Sequence, residues 1–338
     1  MSASRPTLSL VIPIFNEEEV IPELDRRLGA ALRTVQESVD SWEVIFVDDG
    51  SKDRSFELLA ELAAREPRFR VVSFARNFGH QMAITAGTDR AEGDAVVVMD
   101  ADLQDPPEVI VEMIRKWREG FDVVYAVREE RKGETAFKRF TAAAFYRIFR
   151  RMLGGIDLPQ DAGDFRLMSR PVVLALRALR ERHRFVRGMV TWIGFRQTAV
   201  RYVREARFAG ETKYPLSKML RFAADGITSF STFPLRIATW LGLAAGFLAI
   251  GTGAWALYIK FFVKGVVTGW TTIMMLVAFG SSAQLLMTGI LGEYVGRIYE
   301  EVKRRPLYIT ARELNLDART PGTAQAADDG SSNRNLTS

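Results

Sequence analysis

The stretch AVVVMDADLQDPP, residues 95–107, sets an uninterrupted apolar run against an acidic turn and closes on a proline pair. Ala95–Met99 reads as a strand that is apolar on both sides, as strands inside a parallel sheet covered on both faces are. The turn carries Asp100 and Asp102, two carboxylates at i and i+2 that can face one divalent cation, and Gln104 adds a neutral oxygen. Hard oxygen donors of this kind suit Mg²⁺ or Mn²⁺, with substrate phosphates completing the shell. A D-x-D triplet by itself is a common surface turn capping a helix. Its position directly after an apolar strand is what points to a site.

The same punctuation recurs on both sides of that stretch. Leu8–Ile14 is a β-rich run ending in Pro13-Ile14-Phe15-Asn16-Glu17, and Trp42–Val47 is another, ending in Asp48-Asp49-Gly50-Ser51. Arg70–Phe74 and Asp122–Ala126 complete the strands, and helical spacing fills Glu19–Val35, Phe56–Arg65, His80–Arg90 and Pro107–Glu119. Such alternation predicts an α/β fold with a mostly parallel sheet. Ligands of such sheets sit at the carboxyl ends of the strands. Each acidic cluster alone is as much turn punctuation as ligand site, but three at the ends of neighbouring strands describe one nucleotide-sized crevice. A fourth group is cationic: Arg128 after a strand, Lys138 and Arg139 further on, and Arg207 and Lys213 flanking Gly210. Arginine forks match phosphate oxygens.

The chain has 338 residues, enough for about two structural units. With no cysteine, disulfides and thiolate chemistry are excluded, and with only His80 and His183 a histidine-rich metal site or a serine–histidine triad is not expected. Basic residues number 46 against 41 acidic, a net charge of +5 that fits an anionic partner. The basic residues gather beside two uncharged stretches, Ile237–Ile259 and Gly265–Gly292, so lipid phosphate explains them more simply than nucleic acid. Each stretch is long enough to span a hydrocarbon core. A buried helical pair in a soluble protein is the alternative. Arg221 and Arg236 before the first span, and Arg297, Lys303, Arg304 and Arg305 after the second, outnumber Lys260 and Lys264 between them. The positive-inside rule then places both ends and the large N-terminal domain in the cytoplasm, in a multi-pass inner-membrane protein. The N-terminus has no signal-peptide pattern.

Residues 136–153 read as a basic amphipathic helix lying in the headgroup layer, and 215–234 as a second one running into the first span. The expected organisation is a catalytic domain over 1–214, the juxtamembrane helix 215–234, two transmembrane helices within 235–296, a cytoplasmic segment 297–316 and a disordered tail 317–338. Gly242, Gly246, Gly251 and Gly253 permit close helix approach and a homo-oligomer through the hairpin.

In order, VIPIFNEEE, VDDGSKD, RNFGHQMAITAG, MDADLQDPPE, GDFRLMSR and RFAGETKY resemble the family-2 glycosyltransferases of the polyisoprenyl-phosphate branch, over about residues 7–310. That resemblance implies a GT-A fold and transfer of a sugar from a nucleotide diphosphate to undecaprenyl or another polyisoprenyl phosphate at the cytoplasmic face. Its two spans are most similar to those of bacterial lipid-carrier glucosyl and aminoarabinosyl transferases, which favours UDP-glucose as donor. GDP-mannose or a UDP-linked modified arabinose is the alternative donor, and a catalytically silent membrane scaffold the alternative class. By the same resemblance Pro13, Phe15, Glu17, Asp48 and Asp49 hold the nucleoside, and Asp100, Asp102 and Gln104 the metal and diphosphate. Arg128 and Arg139 hold the acceptor phosphate, Arg207 contacts the diphosphate with Lys213 beside it, and Asp164 lies in a family motif without a clear role. The Q-x-x-R-W string of the processive synthases is absent. A phosphate nucleophile is largely ionised at neutral pH, so the implied reaction needs no strong base and inverts the anomeric centre.

Overall fold

The computed structural model describes residues 7–128, 162–203, 233–262 and 269–316. The elements β1 (Thr7–Ile14), α1 (Ile21–Gln36), β2 (Ser41–Asp48), α2 (Ser55–Arg65), β3 (Phe69–Phe74), α3 (His80–Arg90), β4 (Ala95–Val98), α4 (Val109–Arg118) and β5 (Val123–Arg128) follow the alternation read from the sequence. Beyond them come β6 (Ala162–Ser169), α5 (Arg170–Ala178), α6 (Val186–Ile193), β7 (Gln197–Tyr202), the long helices α7 (Phe233–Phe262) and α8 (Trp270–Val302), and β8 (Thr310–Leu314).

Among the described residues eight strands form one sheet in the order β7-β5-β6-β4-β1-β2-β3-β8. The run β4-β1-β2-β3 is parallel, as are β5 and β7. β6 lies antiparallel between β4 and β5, and β8 antiparallel on the outside of β3. One apolar layer, including Leu24, Leu28, Leu59, Ile110 and Met113, packs α1, α2 and α4 on one face. Ile84, Ala86, Val172, Leu176 and Met189 pack α3, α5 and α6 on the other. In α1 the buried Ile21, Leu24, Leu28, Leu32 and Val35 follow the three-to-four spacing of a helix with one inward stripe.

Two local details fix the sheet's centre. Pro13 lacks the N–H that a central strand normally needs. Val11 accepts from Met99 N on the β4 side, so Pro13, two residues on, faces the same side beyond the end of β4 at Val98, where no ladder partner is left. At Gly87 an added Cβ would lie 2.1 Å from Val11 Cγ1, so α3 is seated flush on β1.

The helices α7 and α8 contain stretches, Pro234–Trp255 and Met275–Val302, long and apolar enough to cross a membrane. None of the residues in those windows is buried, and Trp240, Phe247, Phe261 and Leu285 each expose more than 70% of their surface. The alternative of a buried helical pair is thereby overturned, because an apolar surface of this extent belongs against lipid or a partner. A Cβ added at Gly242 would meet Met287 Cε of α8 at 3.5 Å, whereas one added at Gly246, Gly251 or Gly253 would meet nothing within 4 Å. A second correction concerns residues 297–316. They are not a separate segment, since Thr310–Leu314 is an edge strand of the catalytic sheet. The segments 136–153 and 317–338, and all but the last two residues of 215–234, lie outside the described residues.

Candidate active site

The loops after β1, β2 and β3 are tied to one another mainly through backbone donors. Asn16 adopts a left-handed backbone, with φ of 54°. Its N–H donates to Ser51 Oγ at 3.0 Å, and its Oδ1 accepts from Lys52 N at 2.8 Å. Glu17 N donates to Ser55 Oγ at 2.8 Å. Asp48, buried at the end of β2, accepts from Ser51 N at 3.0 Å and Ser73 Oγ at 2.7 Å. Asp49 accepts from Phe78 N at 2.7 Å and from Gly79 N at 2.9 Å, just before α3 begins. Burial pushes the Asp49 carboxyl up in spite of those two donors. A Cβ on Gly50, whose φ is +70°, would meet Arg76 C at 2.5 Å, so only glycine lets these two loops touch backbone to backbone.

The turn after β4 is held in an unusual conformation. Asp102 Oδ1 accepts from Gln104 N at 3.1 Å, closing an Asx-type turn. Between them Leu103 is buried and has φ of 58°, a region disfavoured for a branched side chain. Strain of this kind persists where surroundings over-determine it, typically beside ligands. Asp100 has one oxygen, Oδ1, that is shut off from water and makes no hydrogen bond. His80 Nε2 lies 3.3 Å from it. Burial raises the Asp100 carboxyl to about 6, with Asp164, Asp105 and Asp102 adding to the effect and His80 opposing it.

Facing this turn is an ionic cluster built on the buried Asp164 and Arg166, with the more exposed His80 and Arg187 around them. Because β6 is antiparallel to β4, its start rather than its end lies at the carboxyl ends of the parallel strands, and Val98 pairs with Arg166. Asp164 receives Arg187 Nε at 2.9 Å and Gln81 Nε2 at 3.3 Å, lies 3.4 Å from His80 Nε2, and has Arg166 Nη2 at 3.5 Å. Burial would push Asp164 up, but His80, Arg187 and Arg166 hold it well below the usual carboxylate range. The fully buried Arg166 is pulled down to about 10 by its desolvation. Burial alone would lower the His80 imidazole, yet Asp164 and Asp100 keep it above its ordinary value. Gln81 Oε1 also accepts from Val186 N at 3.0 Å, joining α3 to α6.

Arg128, at the end of β5, donates through Nε to Tyr202 OH at 3.3 Å. That hydroxyl donates to the buried Asp105 of the D-x-D turn. Burial and Asp105 push the Tyr202 phenol up to about 12. Nη2 of Arg128 lies within 3.5 Å of where a Cβ on Gly163 would sit, beside Asp164. Arg128 is thus delivered to the same crevice as Asp100 and Asp164.

The structure brings Asp48, Asp49, Asp100, Asp102, Gln104, Arg128 and Asp164 to one end of the sheet. Phe15 stands at its rim with 43% of its surface exposed, Glu17 lies in the loop behind it, and Pro13 is buried within β1. Lys138, Arg139, Arg207 and Lys213 lie outside the described residues. Four participants carry no role in the sequence reading: His80, Gln81, Arg166 and Arg187. The motifs RNFGHQ and GDFRLM contained the first three, but only the antiparallel pairing of β6 shows that they meet.

Among the described residues no three His, Asp or Glu side chains converge into a ready-made metal cage. The donor set nonetheless suits a hard cation shared with a substrate. Asp100 Oδ1 is buried without a hydrogen bond, facing only His80 Nε2 at 3.3 Å, and mutual repulsion among four aspartates would be relieved by a further positive charge. Mg²⁺ in particular is held by one or two carboxylates together with substrate phosphates.

Residues 9–176 match the family described as glycosyl transferase family 2. The uncharacterized glycosyltransferase YkcC of Bacillus subtilis (strain 168) is 52% identical over 91% of this chain and 94% of its own length. The prophage bactoprenol glucosyl transferase homolog of Escherichia coli (strain K12) is 42% identical over 90% of this chain and 98% of its own. A solved glucosyl-3-phosphoglycerate synthase from Mycobacterium tuberculosis is similar over 67% of this chain and 79% of that one, at 20% identity and a TM-score of 0.44. With its GT-A sheet and with the acidic loops gathered at the strand ends, the chain belongs to glycosyl transferase family 2 and is a glycosyltransferase.

Proposed function

We propose that the chain transfers a sugar, most readily glucose from UDP-glucose, to undecaprenyl phosphate at the cytoplasmic face of the inner membrane. The observation that carries this reading is the polarity of the crevice. Acidic Asp49, Asp100 and Asp102 lie on the side of β1, β2 and β4, and cationic Arg128, Arg166 and Arg187 on the side of β5, β6 and α6. A nucleotide diphosphate with its cation fits the first side, and an anionic acceptor the second. The name of the relative with 42% identity, a bactoprenol glucosyl transferase homolog, supports a polyprenyl phosphate as that acceptor.

Asp100, Asp102 and Gln104 would hold Mg²⁺ or Mn²⁺, which when bound neutralises charge on the departing diphosphate. Asp48 and Asp49 set the loop under the nucleoside, and Phe15 offers a ring at its edge. Arg128, steadied by Tyr202 and Asp105, holds the acceptor phosphate in line with the anomeric carbon. Arg139, Arg207 and Lys213 complete the cationic set in this reading. The acceptor is ionised at neutral pH, so attack needs only placement, and a direct displacement inverts the anomeric centre. Because β8 pairs with β3, residues 310–314 and the catalytic domain stand on one side of the bilayer, which supports two crossings between them.

The test is incubation of the purified full chain with undecaprenyl phosphate, Mg²⁺ or Mn²⁺, and a panel of UDP- and GDP-sugars. Formation of a lipid-linked sugar from UDP-glucose is the expected result. Product only from GDP-mannose would replace the donor assignment, and hydrolysis without lipid product would overturn the acceptor.

A further inference from the structure

We propose that the segment following α8 is a positioning element for the active site, acting through α3; the inference rests on the site assignment above. α3 spans the domain from the site to the membrane-linked segment as an 11-residue helix, about 16 Å long at 1.5 Å per residue. At its start His80 lies against Asp100 and Asp164, and Gln81 bonds Asp164 and Val186. At its end Asp89 and Arg90 are both buried and both gripped from outside. Tyr308 OH donates to Asp89 Oδ2 at 3.0 Å, and Arg90 Nη2 meets Glu313 Oε1 at 2.6 Å.

The grip is continuous with the second apolar helix. Glu300 of α8 meets His183 Nε2 at 2.8 Å, and Glu301 accepts from Arg182 N at 3.0 Å. Arg182 Nη1 donates to Arg305 O at 3.2 Å. Ile309 O accepts from Ala75 N, and Tyr308 stacks on Phe74 at 5.1 Å. The helix between the two ends has no slack. Gly87 presses it on β1, and Arg170 and Arg177 cap its last carbonyls at Ala91 and Thr88. A buried acidic side chain at a helix C-terminus is otherwise unfavourable, so Asp89 depends on Tyr308 and on Arg180, whose Nη1 lies 2.8 Å away. Loosening Tyr308 or Glu313 releases the far end of the element that carries His80 and Gln81. None of Asp89, Arg90, Tyr308 and Glu313 touches substrate in this assignment. They are positioning residues.

The experiment uses the full chain in detergent or nanodiscs and compares Glu313→Gln, Glu313→Asp and Tyr308→Phe with the parent. Two readouts are taken: steady-state transfer to undecaprenyl phosphate, and carbethoxylation of His80 by diethylpyrocarbonate, followed by peptide mass spectrometry. Glu313→Gln and Tyr308→Phe are expected to lower kcat by roughly 3–20-fold, the range of couplings carried through packed elements. The donor KM stays within about twofold, and the modification rate of His80 rises by about threefold or more. Glu313→Asp, which keeps the charge, restores at least half of kcat. Parent-like kcat and His80 reactivity in Glu313→Gln and Tyr308→Phe would overturn the proposal. So would a loss that Glu313→Asp fails to restore. If the parent itself forms no lipid-linked sugar while His80 reactivity still responds to Glu313→Gln, the substrate reading fails and the positioning role stands.

Discussion

The two halves of the sheet handle buried charge in opposite ways. On the β1–β2–β3 side, Asp48 and Asp49 are satisfied by neutral donors, the N–H groups of Ser51, Phe78 and Gly79 and the hydroxyl of Ser73. On the β5–β6–β7 side, Asp164 is surrounded by Arg166, Arg187 and His80, while Asp105 is reached by Tyr202 with Arg128 behind it. Neutral donors leave the first side negative and ready for a cation. Full ions leave the second side with cationic charge to spare. The difference teaches that the polarity of the crevice is set by the partners of its carboxylates more than by how many it holds.

That contrast can be broken most directly at Asp102. Asp102→Asn is expected to lower transfer by about 10³-fold or more, since it removes charge stabilisation at the departing group, with the melting temperature unchanged to about 2 °C. A variant with near-normal turnover would detach the acidic side from the chemistry. Next in size is a paired comparison by denaturant unfolding. Asp164→Asn leaves Arg166 buried without its counter-charge and is expected to cost about 3 kcal/mol or more. Asp49→Asn keeps an oxygen for Phe78 N and Gly79 N and is expected to cost about 1 kcal/mol. Equal costs would remove the distinction between the halves.

Tyr202→Phe cuts the link from Asp105 to Arg128. It is expected to raise the KM for undecaprenyl phosphate by about fivefold, with the donor KM unmoved, a loss of uniform binding on one side only. The smallest effect is on pH dependence without added metal. Asp100 is raised to about 6 in the folded chain, so its ionised form opposes folding above that pH and the opposition fades as pH falls through about 6 towards 4. The melting temperature in chelator is therefore expected to rise by a few degrees between pH 7.5 and 5 relative to Asp100→Asn, in which the rise is missing. Parallel profiles would refute the assignment.

Residues 7–128 were legible because each strand is a short apolar run and each site loop follows its strand directly in sequence. Ala95–Met99 and Asp100-Ala101-Asp102 are neighbours in both chain and space. Asp164 and Arg166 were less legible, because a strand entering antiparallel places its first residues at the site, where a reading based on strand ends does not look. Arg187 sits one residue into α6 and meets Asp164 only through the packing of α5 and α6 on the sheet. Thr310–Leu314 carries the polar sequence TAREL, with Arg312 lying over the Phe56 ring at 3.4 Å. An edge strand of that composition has no alternating apolar signal, so the sequence shows it only as part of the C-terminal segment 297–316. The turn bearing Asp100, Asp102 and Gln104, the proposed metal ligands, was legible as a motif. The strain at Leu103 that shapes it was not, because φ is not written in residue type.

The pairing of β8 with β3 has a consequence for biosynthesis. Residues 310–314 leave the ribosome only after both apolar helices have been made, so until then the outer edge of β3 presents unpaired amide and carbonyl groups, the template on which nascent sheets aggregate. The chain therefore completes its catalytic sheet only once both long apolar helices have been synthesised, so the last edge of that sheet closes at the end of translation.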